Sequence, residues 1–419
     1  MEAEELKKEK IERIERVIAG KEPDRVPIMV YSTIFNAVYG GYSVKDIYFD
    51  YQMWKESTVK FARDFDFDYL ISSIGLGGTV MLMSFVDYAP EVAVNLRHFT
   101  GPYHLIIQDV FTHWPGVELD DEAHPQFVGQ VVMESNEYRY LADSPVDFLQ
   151  ESVLPRICRN LSPEKKTAEK NATLAKLGLE ALRLGTAQRE LGLALMECGY
   201  PVIPTGYLYA PLDIIADFLR DFKYTMLDLY RQPDDVLNAV DSLTPLLTRT
   251  ALTTSSFPES MRKVIGTDLT MCFTPLHLNE YLNPKLYGEY YWPSLLEIFR
   301  ELVRHDILPL VWFEGRHDAH LETLLEAPKR KIIGIFEKTD PRKVRELLGD
   351  HVVLITGPPN SLLIGGTPQK VEDYMKKLLE DCREGGMFVW PGVDGGISRD
   401  AKPENIRALI ESVKKYGSY

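Results

Sequence analysis

Apolar residues recur along this chain in two rhythms. Leu6, Ile11, Ile14, Val17 and Ile18 fall at three- and four-residue spacing among Glu and Lys, which predicts an amphipathic first helix ending at Gly20. After it come short apolar runs at 26–31, 69–73, 201–206, 264–269, 308–313, 331–336, 352–356 and 387–390. Most of these lack polar alternation, the pattern of strands buried on both faces, and helical stretches such as PLDIIADFLRDFKYTMLDLYRQ and PQKVEDYMKKLLEDCRE follow several of them. Repeated strand and helix units over 419 residues predict an α/β fold with parallel strands. A (β/α)8 TIM barrel and an open doubly wound sheet share that local pattern, and periodicity alone does not separate them.

Two stretches break the rhythm. Residues 99–162 are rich in His, Pro, aromatic and acidic residues, which predicts an insertion or cap over one barrel end. Residues 163–187, rich in Lys, Ala and Leu, predict a surface helix pair. With no fixed-period repeat, one domain over 1–419 carrying that insertion is the economical organisation.

Composition narrows the function. With 47 basic against 62 acidic side chains the net charge is -15, a field that repels phosphate backbones and anionic lipid. Small molecules and proteins are therefore the expected partners, with no nucleic acid and no membrane. The uncharged run 69–86 reaches membrane-spanning length, but its glycines and serines predict a strand and a glycine-rich loop. The charged N-terminus lacks the apolar core of a signal peptide, and the four scattered cysteines fit no disulfide framework, so a cytoplasmic setting is expected.

Candidate chemistry lies where apolar runs end, because barrel enzymes build their sites at the C-terminal ends of strands. In LPLVWFEGRHDAH, Glu314 closes a run, Gly315 frees the turn, and His317 follows three residues after the carboxylate. Such a pair suits a shared metal ion or acid and base work, against the plainer reading of an ion-paired loop. Asp268 lies at the end of the run at 264–269 and Cys272 follows it, and Asp268 is a candidate to orient substrate or a metal ligand. Asp394 sits at the end of the last run, in an Asp-Gly pair that is also ordinary turn chemistry. Tyr31, Asn36, Tyr207 and Tyr209 would add aromatic and amide walls to the same mouth. GxSxG, HExxH and dinucleotide GxGxxG motifs are absent.

Taken in order, DRVPI, PTGYLYAPLDIIADFLRDFKYTMLDLYRQPDDV, PKLYGEYYWPSLLEIFRELVRHDILPLVWFEG, LLIGGTPQKVEDYMKKLL and WPGVDGGISRDAKPENIRALIESVKKYG make the chain resemble the uroporphyrinogen decarboxylase superfamily. The resemblance implies a TIM barrel, often dimeric, so a homodimer is expected. Decarboxylases of the superfamily carry an arginine-rich MRQAGRY segment after the first strand. The matching stretch here, MVYSTIFNAVYGGY, has no arginine, and a GHG-like turn is matched by Val393, Asp394 and Gly395. The departure disfavours a polyanionic tetrapyrrole.

The other branch comprises cobalamin-dependent methyltransferases, whose HxCG and PGCG-like segments supply zinc ligands. Those positions hold Trp312, Glu314 and Val393 or Asp394 here, so both cysteines are missing. What the resemblance implies is O-demethylation of a methoxylated aromatic or similar donor onto the Co(I) corrinoid (cobalamin) of a separate corrinoid protein. In that expectation zinc is held by Glu314, His317 and Asp394 and acts as a Lewis acid, Asp268 orients a ligand or substrate, and Tyr31, Tyr207 and Tyr209 wall the ring. The alternative is a decarboxylase or lyase on a less anionic substrate, with Asp268 and His317 as acid and base.

Overall fold

The computed structural model describes residues 2–419. Parallel strands β1 (Met29–Tyr31), β2 (Tyr69–Ile71), β3 (Thr205–Tyr207), β4 (Thr270–Leu276), β5 (Ile307–Phe313), β6 (Ile333–Phe336), β7 (Val353–Thr356) and β8 (Met387–Val389) surround one apolar interior. β3 to β8 form a six-stranded sheet in chain order, and β1 pairs with β2. A parallel bridge between Ile28 and Val389 joins β1 to β8, with Val389 N donating to Pro27 O at 2.9 Å. The arrangement is the expected TIM barrel. One seam departs from the ideal: among the described residues no ladder joins β2 to β3, and side chains span that gap. The Tyr69 hydroxyl donates to Ile203 O at 3.2 Å, and Arg97 Nη1 donates to Thr205 O at 3.0 Å.

Side chains alternate along each strand, so every second residue points inward. The inward set includes Met29, Tyr69, Met271, Leu310, Ile333, Ile335, Val353, Ile355 and Phe388, all buried. Each fully buried Leu or Ile there contributes about 1.5–3 kcal/mol relative to exposure. Helix α1 (Glu2–Ile18) closes the N-terminal end, where Ile14 and Val17 join this interior cluster. Asp68 fixes that end: its fully buried carboxylate accepts from Arg13 Nη1 at 2.5 Å, Arg25 Nη1 at 2.7 Å and Ile28 N at 2.7 Å. The DRVPI segment is thus a structural clasp.

Three expectations change. The helix pair at 163–187 is one helix, α2 (Thr167–Glu197), because its buried stripe of Leu177, Ala181, Leu184, Leu191 and Leu195 continues without a break. The run 264–269 is not a strand. Val264 lies exposed on the helix Glu259–Ile265, and β4 begins only at Thr270. The uncharged run 69–86 divides into β2, the two-residue strand Leu76–Gly77 and the helix Thr79–Phe85. No helix among the described residues is long and apolar enough to cross a membrane. Residues 99–162 form short helices and a small antiparallel pair, Thr112–His113 with Gln126–Phe127, outside the barrel.

Candidate active site

The inward parity of β4 and β5 extends past their ends. Met271, Phe273 and Pro275 share the interior parity on β4, as do Leu308, Leu310 and Trp312 on β5, so His277 and Glu314 fall next in line at the C-terminal mouth. Gly315, at φ +64°, then turns the chain away.

His277 is the centre of the arrangement. Its Nδ1 lies 2.5 Å from Asp217 Oδ2, and its Nε2 lies 3.4 Å from Glu314 Oε1. Burial opposes charge on the ring, but the Asp217 and Glu314 carboxylates outweigh it and hold the imidazole protonated well above its ordinary range. Protein packs around His277 while 28% of its side chain stays accessible, so a proton donor stands open at the mouth.

Asp213 positions this histidine. It lies one helical turn before Asp217, is fully buried, and accepts from His277 N and Leu278 N at 3.1 Å each and from the Tyr291 hydroxyl at 2.6 Å. Burial pushes its carboxyl up to about 7, against the attraction of His277. The i, i+4 spacing of Asp213 and Asp217 puts one carboxylate on the backbone and the other on the ring of the same residue.

Aromatic rings form the floor and one wall. Trp390 meets Trp312 across the barrel at 5.8 Å between ring centres, Trp312 meets Phe273 at 6.2 Å, and Phe273 stacks on Tyr207 at 5.9 Å. The Tyr207 and Tyr209 hydroxyls lie 3.2 Å apart, and the Tyr209 ring stands edge-on to His277 at 5.2 Å. Burial raises the pKa of both phenols, so they remain neutral donors and acceptors.

The residues expected from sequence separate into two groups. Glu314, Tyr207 and Tyr209 come together at the mouth, and Tyr31 lies at the end of β1 with its phenol pKa raised by burial. Four others do not join them. Asn36 is fully buried, and its amide is occupied by Ser32, donating to the carbonyl at 2.8 Å and accepting from the hydroxyl at 2.6 Å. Asp268 is exposed before the start of β4, at the barrel end opposite Glu314, because the strand begins later than the apolar run suggested. His317 is fully buried beside Phe313, Tyr287 and His320; its Nε2 has no partner, and burial holds the ring neutral, well below its ordinary range. Asp394 is exposed and braces a turn, accepting from Asn360 N at 2.8 Å and Asn360 Nδ2 at 3.0 Å.

The expected zinc set is therefore not assembled. Among the described residues no group of three or more His, Cys, Asp or Glu side chains is placed to hold a metal ion. Asp217 and Glu314 grip opposite nitrogens of the His277 ring instead of converging with it on one point. Cys272 faces away from metal chemistry as well, fully buried with its thiol pushed up to about 12.

His277, Asp213 and Asp217 escape a reading of isolated motifs. The available signal was the alternation Met271, Phe273, Pro275, His277, together with two aspartates four apart in PLDIIADF.

The uroporphyrinogen decarboxylase (URO-D) family profile matches residues 145–416. The chain belongs to this family. Over 143 residues it is 23% identical to uroporphyrinogen decarboxylase of Schizosaccharomyces pombe, a match covering 33% of this chain and 40% of that relative's length. A methyltransferase from Methanosarcina mazei has the same fold, with a TM-score of 0.59, 14% identity, and coverage of 96% of this chain and 98% of its own.

Proposed function

We propose that this URO-D family member is a methyltransferase. It would take the methyl group of a methoxylated aromatic donor and pass it to the Co(I) corrinoid of a separate corrinoid protein docking at the barrel mouth. The observation that carries this reading is the protonated His277, held between Asp217 and Glu314 at the rim of an aromatic-walled mouth. Support also comes from the 29–42 segment, which lacks arginine, and from the shared fold with a protein named as a methyltransferase.

The chemistry follows from what an ether needs. Breaking the methyl carbon to oxygen bond leaves the electron pair on oxygen, and an anion there is a poor leaving group unless charge is neutralised as it forms. The His277 Nε2–H delivers that proton, so the donor departs as a neutral phenol while its methyl carbon passes to the acceptor. The corrinoid, when bound on its partner, supplies the nucleophile. Asp217 keeps the ring charged and oriented, and Glu314, 40% exposed, is the route by which His277 regains a proton from solvent. The aromatic arc excludes water and stacks the donor ring. With Glu314, His317 and Asp394 apart, no step runs through zinc.

The test is a transfer assay with purified protein, a reduced corrinoid protein and a panel of methoxylated aromatics. Loss of the Co(I) absorbance together with demethylated product is the expected result. Release of carbon dioxide with no methyl transfer would sink the reading and favour a decarboxylase.

A further inference from the structure

The insertion at 99–162 sends a hairpin loop, residues 114–125, along one side of the barrel mouth. The strand that ends it, Gln126–Phe127, sits beside the segment after β3, where Phe127 stands edge-on to Phe218 at 5.4 Å and Phe218 stands edge-on to Tyr209 at 5.4 Å. Its tip reaches the segments after β1 and β8. Asp121 O accepts from Lys45 N at 3.0 Å, the Asp121 carboxylate lies 3.4 Å from Lys45 Nζ, and Arg399 Nη2 donates to Glu122 Oε2 at 3.1 Å. The two ion pairs are solvent-exposed, a class worth about 0–1 kcal/mol each, so they leave the tip free to lift. What fixes the loop lies at its base.

At that base stands His104, on the helix Gly101–Ile107 and only 8% exposed. Gln108, at φ +52°, reverses the chain after the helix in a conformation that favours glycine, and Asp109 then meets the ring. His104 Nδ1 lies 2.8 Å from Asp109 Oδ2, and His104 Nε2 lies 3.0 Å from Glu118 Oε1. A neutral imidazole has one N–H and must turn a lone pair toward one of these carboxylates, so only the imidazolium satisfies both. The carboxylates are not equivalent. Asp109 is buried and also accepts from Phe111 N at 2.9 Å, Thr112 N at 2.8 Å and the Thr112 hydroxyl at 2.8 Å. Glu118 belongs to the loop, keeps a third of its side chain accessible, and otherwise accepts from Trp114 N at 2.9 Å. A cavity of about 240 Å³, lined by His104, Glu118, His113 and Arg159 among others, adjoins the pair and gives Glu118 space to move into. When the ring is neutral, its remaining N–H stays with Asp109, and Glu118 is the group released.

We propose that the loop 114–125 is a lid on the barrel mouth, latched by the His104 imidazolium through Glu118 and released when that ring loses its proton. The groups that set the latch are Asp109, Thr112 and Glu118 on the ring, with His113 and Arg159 across the cavity. Burial opposes charge on His104, but Asp109 and Glu118 outweigh it and raise its pKa. The closed lid is therefore fully favoured below the ordinary histidine range near 6.5 and weakens as pH rises through the raised value. This device is independent of the methyl-transfer reading, since it acts on whatever enters the mouth.

Two readouts on the purified full-length protein test it between pH 6 and pH 9.5. Hydrogen exchange of peptides across 114–125, corrected for intrinsic rates and referred to α2, reports the lid. Acrylamide quenching that is lost in Trp312→Phe reports the mouth, because Trp54, Trp114, Trp292 and Trp390 are at most 3% exposed and Trp312 is the accessible tryptophan of the five. In wild type, lid protection should fall at least tenfold over this range while Trp312 quenching rises. His104→Gln should give the alkaline values at every pH. Glu118→Gln should stay closed throughout, because an amide N–H can donate to the lone pair of a neutral His104 while its oxygen still accepts from Trp114 N. Protection independent of pH in wild type, a pH response that survives in His104→Gln, or alkaline opening of Glu118→Gln equal to wild type would overturn the latch. Loss of lid protection with unchanged Trp312 quenching would overturn the lid's control of the mouth. If His104→Gln does not fold, the contrast between wild type and Glu118→Gln decides.

Discussion

His277 and His317 lie at the ends of neighbouring strands β4 and β5, and their environments have driven them to opposite states. His277 stands between two carboxylates and stays charged; His317 has aromatic rings, another histidine and the Asn279 amide around it, with no carboxylate, and stays neutral. What separates them is the inward parity of the strand. His277 continues the interior face of β4, whereas Gly315 turns the chain so that His317, three residues past Glu314, packs under the loop with its backbone N donating to Thr339 Oγ1 at 2.8 Å. Proximity in sequence to a carboxylate is thus a poor guide to chemistry; the side of the strand on which the imidazole emerges decides it.

The contrast breaks most sharply by removing each ring. His277→Ala should lower the methyl-transfer rate by about 10²–10⁴, the usual worth of a general acid. His317→Leu should leave kcat close to wild type, because that ring reaches no reacting atom. A steady-state comparison of the two variants on one methoxylated donor checks this, and a greater loss in His317→Leu would reverse the assignment of the two residues.

A second, smaller effect sharpens the role of Asp217. Transfer that uses the imidazolium is available below the His277 pKa and falls as pH rises through it. Asp217→Asn removes the main charge that raises that pKa, so the alkaline limb of the kcat/KM profile should move down by about one to three units. The loss at the alkaline edge should be recovered on lowering the pH, which a merely structural defect would not show. An unmoved limb would mean that some other group donates the proton.

Much of the barrel is legible in the order of residues alone. Seven of the eight apolar runs fall on barrel strands, since a strand buried on both faces leaves an uninterrupted apolar signature. The fourth run misleads for a physical reason: β4 reads TMCFTPL, where threonines and a proline dilute the run, while the preceding helix ends in Val264 and Ile265 and mimics one. That displacement puts Asp268 at the wrong end of the barrel and hides His277. Asp213 is invisible in a different way, because its partners are two backbone N–H groups and a tyrosine that only the folded chain brings together. Glu314 and the Tyr207 and Tyr209 pair stand out because each directly follows or continues a correctly placed strand.

The smallest effect lies in stability and carries the same contrast. His317 has a folded pKa below its unfolded value near 6.5, so the unfolded chain binds the extra proton, and the stability its neutral ring contributes is lost as pH falls below about 6.5. The limiting slope for one such proton is about 1.4 kcal/mol per pH unit. His277 has the opposite sign: its raised pKa contributes stability fully present below about 6.5 and lost as pH rises through the folded value. Urea midpoints measured at pH 7.5 and pH 5 should therefore show His317→Leu losing less stability on acidification than wild type, and His277→Gln losing more. Leucine fits the His317 site because it removes the unpaired Nε2 at similar volume, while Asn279 keeps its bond to Glu314 O at 2.9 Å. Parallel responses of both variants to acid would show that the two rings titrate alike, and the difference between the two strand ends would then be one of packing alone.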